Sequence, residues 1–218
     1  MNISQTEENY LKTIFQLAQT EGGRIPNLAI AQQLNINPAT VTEMLKKLAD
    51  KKWIDYSRTG GASLTEEGRI FALQVIRKHR LWETFLVKTL NFSWDEVHEV
   101  AEQLEHIQSQ KLLDQLDMFL GHPKFDPHGD PIPDAEGTLP ASRAILLSDC
   151  EIGENRKFVA VANHSSSFLQ YLSKIGLVIS ETIEIEDIQD FDHSMNVCLG
   201  GSRKTVFSSE VCKGLLVV

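Results

Sequence analysis

Cysteine is scarce in this 218-residue chain, and the three present, Cys150, Cys198 and Cys212, form no C-x-x-C pair. An odd count without that spacing argues against a disulfide framework and a structural zinc knuckle, so all three are expected as buried small apolar residues. No apolar run reaches the length of a membrane span, and the opening MNISQTEENY is too polar and acidic for a secretory signal. The expectation is a cytoplasmic protein with no membrane partner. Internal repeats and low-complexity tracts are also missing. Positive charge is short: the formal net charge is -9, which taken alone weighs against a nucleic-acid partner. The deficit is uneven, with seven basic against eight acidic residues in 1–68 and seven against twelve in 69–140. The N-terminal third is therefore nearly neutral, and basic side chains there can still gather on one surface.

What that third does contain is a set of mutually consistent local signals. Ser4-x-x-Glu7 has the form of a capping box, and Tyr10, Leu11, Ile14, Leu17 and Ala18 follow at helical spacing up to Glu21-Gly22-Gly23. IPNLAIAQQLNINPATVTEMLKKLADKKW then reads as a short helix, a turn at Asn35-Ile36-Asn37, and a second helix capped by Asn37 with Pro38 at its first position. Val41, Leu45 and Leu48 supply that helix's core stripe, so Ala39, Thr42, Glu43, Lys46 and Lys47 turn outward. WIDYSRTGGASLT alternates on both sides of Gly60-Gly61, which predicts a hairpin. Three helices and a hairpin make a winged helix-turn-helix. In a DNA reading Thr42 and Glu43 touch base edges while Lys46, Lys47 and Arg58 meet phosphates, and Ala39 and Thr40 complete the candidate contact set. The competing use of the same fold is a protein contact.

Two long amphipathic segments, 66–90 and 94–120, follow, with more apolar surface than so small a chain can cover, so a helical homodimer interface is expected. GHPKFDPHGDPIPDAEGTLP, with five prolines and three glycines in twenty residues, reads as a linker or draped loop. Beyond it FVAVA, TIEIEDI, MNVCLGG and KTVFSSEVCKGLLVV are short β-type runs, with a helical stretch near SSSFLQYLSKIGL. The expected fold is mainly α with a small β part: a winged helix-turn-helix in 1–68, a helical dimerisation segment with its proline-rich loop in 69–140, and a small SH3-like, FeoA-like β-barrel in 141–218.

The chemistry lies in HEVAEQLEH, residues 98–106, where a helix sets His98, Glu102, Glu105 and His106 along one stripe, apart from the apolar stripe of Val97, Val100, Ala101, Leu104 and Ile107. A solvated face is the simpler account of that segment alone. In RKHRLWETF, however, His79 and Glu83 stand four apart and share a face that can meet His98 or Glu102. Carboxylates stacked with neutral imidazoles repel one another when empty and suit a divalent cation of borderline to hard character, such as manganese or ferrous iron.

Through TEENYLKTIFQL, NINPATVTEMLKKL, RKHRLWETFL, VHEVAEQLEH, PHGDPIP and the carboxy-terminal β runs, the chain resembles the metal-dependent repressors typified by the diphtheria toxin repressor and the manganese transport regulator. The resemblance implies a homodimer that binds a palindromic operator in double-stranded DNA when loaded with Mn2+ or Fe2+, with two metal sites per subunit and control of metal-uptake genes. It implies a primary site of Glu102, Glu105 and His106 with Asn9 of the first helix, a position that is often Met or Asp in the family. Glu102 stands where the iron-type branch has Cys and the manganese-type branch Glu. An ancillary site is implied from His79, Glu83 and His98, with His164 as a further contact. Another branch instead combines the helical Glu with loop side chains, here Asp126 and His128. The dinuclear manganese form uses a Glu where this chain has Lys12, which disfavours that arrangement.

Catalysis is not expected. His98-Glu99-Val100-Ala101-Glu102 falls one histidine short of the H-E-x-x-H of zinc hydrolases, and the two E-x-x-H motifs of a di-iron bundle are missing. No small-molecule substrate is expected. The remaining rival is a winged-helix regulator answering to a non-metal ligand.

Overall fold

The computed structural model describes residues 3–218. Its packing separates into two compact units: Met1–His79 with Glu102–Leu113 and Pro133–Leu139, and Arg80–Ala101 with Asp114–Ile132 and Pro140–Val218. The chain expected as a middle domain is thus shared between them.

In the first unit, helix α1 (Gln5–Glu21) starts on a complete capping box: the Glu7 amide donates to Ser4 Oγ at 3.4 Å and the Ser4 amide to Glu7 Oε2 at 3.0 Å. Helix α2 (Asn27–Leu34) ends at Asn35 in the left-handed conformation, whose amide caps the last turn. Helix α3 (Pro38–Asp50) begins with the Ala39 amide on Asn37 Oδ1 at 2.8 Å and buries Val41, Leu45 and Leu48 completely. Strands β1 (Ile54–Ser57) and β2 (Gly61–Leu64) form the antiparallel wing. Gly61, at φ +75°, lies so close to the Ile25 carbonyl that a Cβ would stand 2.5 Å from its oxygen, which lets Ile25 and Ala62 exchange backbone hydrogen bonds. The core of this unit runs from Leu11 and Ile14 through Ile30, Leu45 and Trp53 to Leu73 and Ile76.

Helix α4 (Glu66–Leu90) has the expected extent. The segment expected as one helix over 94–120 is instead two, α5 (Val97–Leu104) and α6 (Gln110–Phe119). The stripe at 98–106 is therefore not one helical face, because Glu105 and His106 lie past the end of α5. Their side chains are held by buried polar partners described below, and Ser109 Oγ accepts the Leu112 amide to start α6 afresh.

The second unit carries the β structure: β3 (Ile145–Leu146), β4 (Asn155–Val161), β5 (Thr182–Ile188), β6 (Met195–Leu199), β7 (Arg203–Phe207) and β8 (Leu215–Val217) in the order β3-β8-β4-β5-β6-β7, all antiparallel. With α7 (Ser166–Ile175) and α8 (Ser209–Lys213), it encloses Phe158, Leu172, Ile183, Val197, Phe207 and Leu215. Cys150, Cys198 and Cys212 are free and buried, as expected. Within this unit the loop lies against β4: the Val161 amide donates to the His128 carbonyl at 3.0 Å. Gly129 makes that approach possible, since at φ +88° a Cβ there would fall 2.0 Å from the Val159 oxygen.

Candidate metal centres and nucleic-acid interface

The first polar cluster lies inside the first unit, where α1 meets the chain following α5. Glu105 is 1% exposed and accepts three bonds: from Lys12 Nζ at 2.9 Å on Oε1 and 2.7 Å on Oε2, and from His79 Nδ1 at 2.6 Å on Oε2. Burial pushes its carboxyl up, but the His79 bond and the Lys12 charge overcome that and hold it below the usual carboxylate range. Lys12 Nζ also reaches Glu102 Oε1 at 3.4 Å. Alongside, Glu8 receives Lys78 Nζ at 2.8 Å, Gln108 Nε2 at 2.9 Å and His106 Nδ1 at 2.6 Å. Glu102, Glu105 and His106 thus sit in one neighbourhood, with His106 Nε2 3.9 Å from Glu105 Oε1. Asn9 is exposed, and the residues that α1 contributes to the cluster are Glu8 and Lys12. The spacing that missed Glu8 contained the signal, since positions 8 and 12 share one helical face.

The second cluster lies inside the second unit. Glu83, Asp126 and His128, all buried, present ligand-type atoms within 4.8 Å of one another. Asp126 Oδ1 accepts the amides of His128 at 2.8 Å and Asp130 at 3.0 Å, which folds the proline-rich loop around it. Among the described residues Asp126 Oδ2 is buried with no hydrogen-bond partner, and Arg80 Nε lies 3.6 Å from it. Burial, reinforced by Asp130 and Glu83, pushes the Asp126 carboxyl up to about 7. Burial works against the charged form of His128, but the bond and charge of Glu83 together with Asp126 raise it to about 9. His128 Nε2 faces the Trp94 carbonyl at 2.7 Å, and its ring stacks on the Trp94 ring at 6.1 Å. Arg80 reaches Asp130 at 3.3 Å and donates to the Pro131 carbonyl. Of the other expected ligands, His98 Nδ1 is 3.4 Å from Glu83 Oε1, and His164 Nε2 is 3.1 Å from Asp130 Oδ2. A cavity of about 340 Å³ lined by His98, His128, His164 and Gln170 opens beside the group. Sequence reasoning missed Arg80 and Asp130, although Asp130 lies two residues from His128 in the same loop.

On α3, Ala39, Thr40, Glu43, Lys46 and Lys47 are exposed, as is Arg58 on the wing. Thr42 Oγ1 donates to the Pro38 carbonyl and accepts from Asn27 Nδ2 at 3.0 Å, so its hydroxyl is engaged within the protein. Lys46 pairs with Glu43 at 2.9 Å, and Lys47 lies 3.0 Å from the buried Glu7. Arg24 pins the wing through the carbonyls of Asp55, Gly60 and Gly61. A cavity of about 390 Å³ between Asn27, Pro38, Thr42 and Arg58 separates α3 from the wing.

Against known proteins, the family described as "Iron dependent repressor, N-terminal DNA binding domain" matches residues 2–62, and "Iron dependent repressor, metal binding and dimerisation domain" matches residues 65–134. The chain belongs to the iron-dependent repressor family. This repressor-family chain is 35% identical over 128 residues to the iron-dependent repressor IdeR of Mycobacterium tuberculosis (strain ATCC 25618 / H37Rv), a match covering 59% of this chain and 55% of that protein. It is 32% identical over 163 residues to the diphtheria toxin repressor of Corynebacterium glutamicum, covering 72% and 70% respectively. The match to the first of these thus spans little more than half the relative's length. Among solved structures, "Manganese-dependent transcriptional repressor complex with manganese" superposes with a TM-score of 0.90 at 32% identity, covering 97% of this chain and 99% of that one. "Crystal Structure of ScaR with bound Zn2+" follows with 0.78 at 32% identity, covering 97% and 98%.

Proposed function

We propose that this chain is a metal-dependent DNA-binding repressor, acting in the cytoplasm as a homodimer on a palindromic operator, responding to Mn2+ or Fe2+ and controlling genes of metal uptake and homeostasis. The observation that carries the metal part is the Glu83–Asp126–His128 group, in which one buried carboxylate oxygen, Asp126 Oδ2, has no hydrogen-bond partner among the described residues. A buried carboxylate left so is costly, and a divalent cation offsets that cost. The donor set is nitrogen and oxygen with no sulfur, which fits a borderline to hard ion rather than a soft one. Glu83, Asp126 and His128 would hold one ion, with His98 the next donor beside Glu83. Glu102, Glu105 and His106 would hold a second, and α1 meets that set through Lys12 and Glu8, with the neighbouring Asn9 as its further candidate ligand. When bound, the ion supplies the positive charge that lets these acidic groups lie together.

The protein side of the response runs through α1. Glu8 holds His106 and Lys78, and Lys12 holds Glu105, so rearranging these side chains changes what α1 is fastened to. Helix α1 packs on α2, and α2 on α3, whose exposed face carries Glu43 and Lys46. Two such faces in a dimer must match half-sites about 34–36 Å apart. Metal and operator then favour the same state, and each tightens the binding of the other by an equal factor.

The test starts from a duplex selected out of a random library with the protein and manganese present. Its affinity is then measured by fluorescence anisotropy without metal and with manganese, ferrous iron, cobalt or zinc. The reading expects tightening of about 5- to 150-fold. Equal affinity with and without every metal contradicts it.

A further inference from the structure

A lysine ammonium is a compact, strongly hydrated point charge, and burying one in its charged form is tolerated only against matching negative charge. Lys12 is 6% exposed. Its Nζ straddles both oxygens of Glu105 at 2.9 and 2.7 Å and reaches Glu102 at 3.4 Å. These are two of the carboxylates that the metal-dependent reading assigns to a divalent ion. The two candidate centres therefore differ in their metal-free state. In one, Asp126 keeps a buried oxygen without a hydrogen bond among the described residues. In the other, Lys12 bonds both oxygens of Glu105 directly.

We infer that Lys12 is a tethered competitor for the metal: its ammonium neutralises Glu102 and Glu105 when no ion is bound there, and a divalent cation gains those carboxylates only by displacing it. The inference rests on the metal-dependent reading above. The tether is short and anchored, because Glu8, one turn earlier on α1, is fixed by Lys78, Gln108 and His106. Lys12 thus competes as an intramolecular group at high effective concentration rather than as a free ion. Glu105 cannot serve both cations fully, since Oε2 already accepts from His79 as well as Lys12. Two consequences follow. The Glu83–Asp126–His128 centre, where Arg80 Nε stands 3.6 Å from Asp126 Oδ2 against the 2.7 Å of Lys12 on Glu105, fills first, and the Glu102–Glu105 centre fills only at a higher metal concentration. Displacement also releases the contact that fastens α1 to Glu105, so the loading of this centre is the step felt by the DNA-binding helices.

Titration calorimetry of the full chain with manganese alone tests this on the unmodified protein, K12M and K12M/E105Q, with thermal melts of each metal-free sample. K12M keeps the length of the stem without the charge. Expected are a lower metal-free melting temperature for K12M, a tighter step unchanged, and a weaker step strengthened about tenfold or more. The strengthened step should vanish in K12M/E105Q. A weaker step in K12M that equals or falls below that of the unmodified protein overturns the inference and leaves Lys12 as a structural ion pair. Should metal-free K12M fail to fold, K12Q is read by the same criteria. If the unmodified protein binds no manganese, the metal-dependent reading itself has failed; if it binds in two steps and neither variant moves the weaker one, this inference alone has.

Discussion

Glu7 and Asp126 are both buried carboxylates, and their surroundings push them in opposite directions. Burial raises Glu7, but bonds from Lys51, the Ser4 amide and Lys47 outweigh it and bring its carboxyl down to about 2. An unfolded glutamate titrates near about 4.3, so the stabilisation is complete above that pH and is lost as pH falls toward 2. Glu7→Gln should cost about 1–2 kcal/mol at pH 7, a figure already discounted for the solvent around the two lysines. Melts of the two proteins should converge as pH approaches 2, and a constant gap across that range counts against the assignment. Asp126 has no compensating hydrogen bond on Oδ2 and is raised instead. Asp126→Asn removes a charge the metal-free protein does not satisfy, so its metal-free melting temperature should stay level or rise while the manganese-induced increase shrinks. A full manganese-induced increase in that variant would remove Asp126 from the ligand set. That role was only partly legible in the sequence. Asp126 and His128 were visible as loop ligands from the resemblance, but that the loop brings them against the buried Glu83, some forty positions earlier, depends on tertiary packing that no spacing encodes.

At the scale of elements, what could be read was what is encoded locally. The capping box of α1, the Asn37 cap of α3 and the alternation around the wing each carry their own signal within a few residues, and each element stands where it was expected. The end of α5 did not carry one. Apolar spacing continues through Leu104 and Ile107, and the helix stops because Glu105 and His106 find buried partners 93 and 98 positions away on α1 and 26 positions away on α4, a contest that local periodicity cannot register. Gly129 is the other element-scale determinant. Gly129→Ala places a methyl against the Val159 carbonyl and strains a residue at φ +88°. It should cost more than about 2 kcal/mol and weaken manganese binding, because the adjacent His128 is held by the same stretch of backbone. Manganese affinity equal to that of the unmodified protein would show that the close approach to β4 does not position the ligand.

For the molecule as a whole, a net charge of -9 coexists with membership of a DNA-binding family. The reconciliation is positional: Lys46 is exposed on α3 and Arg58 on the wing, while acid is concentrated in 69–140. Arg58→Ala should weaken operator binding to a similar degree across sequences and lower the slope of log affinity against log salt by about one. A change confined to one base position would instead make Arg58 a base reader. The central claim is that buried carboxylates and imidazoles of this chain share a divalent ion, and the most direct measurement is an anomalous difference map at the manganese edge from crystals grown with manganese. The account predicts a peak in bonding distance of Glu83, Asp126 and His128, and a map with no peak among those side chains would contradict it.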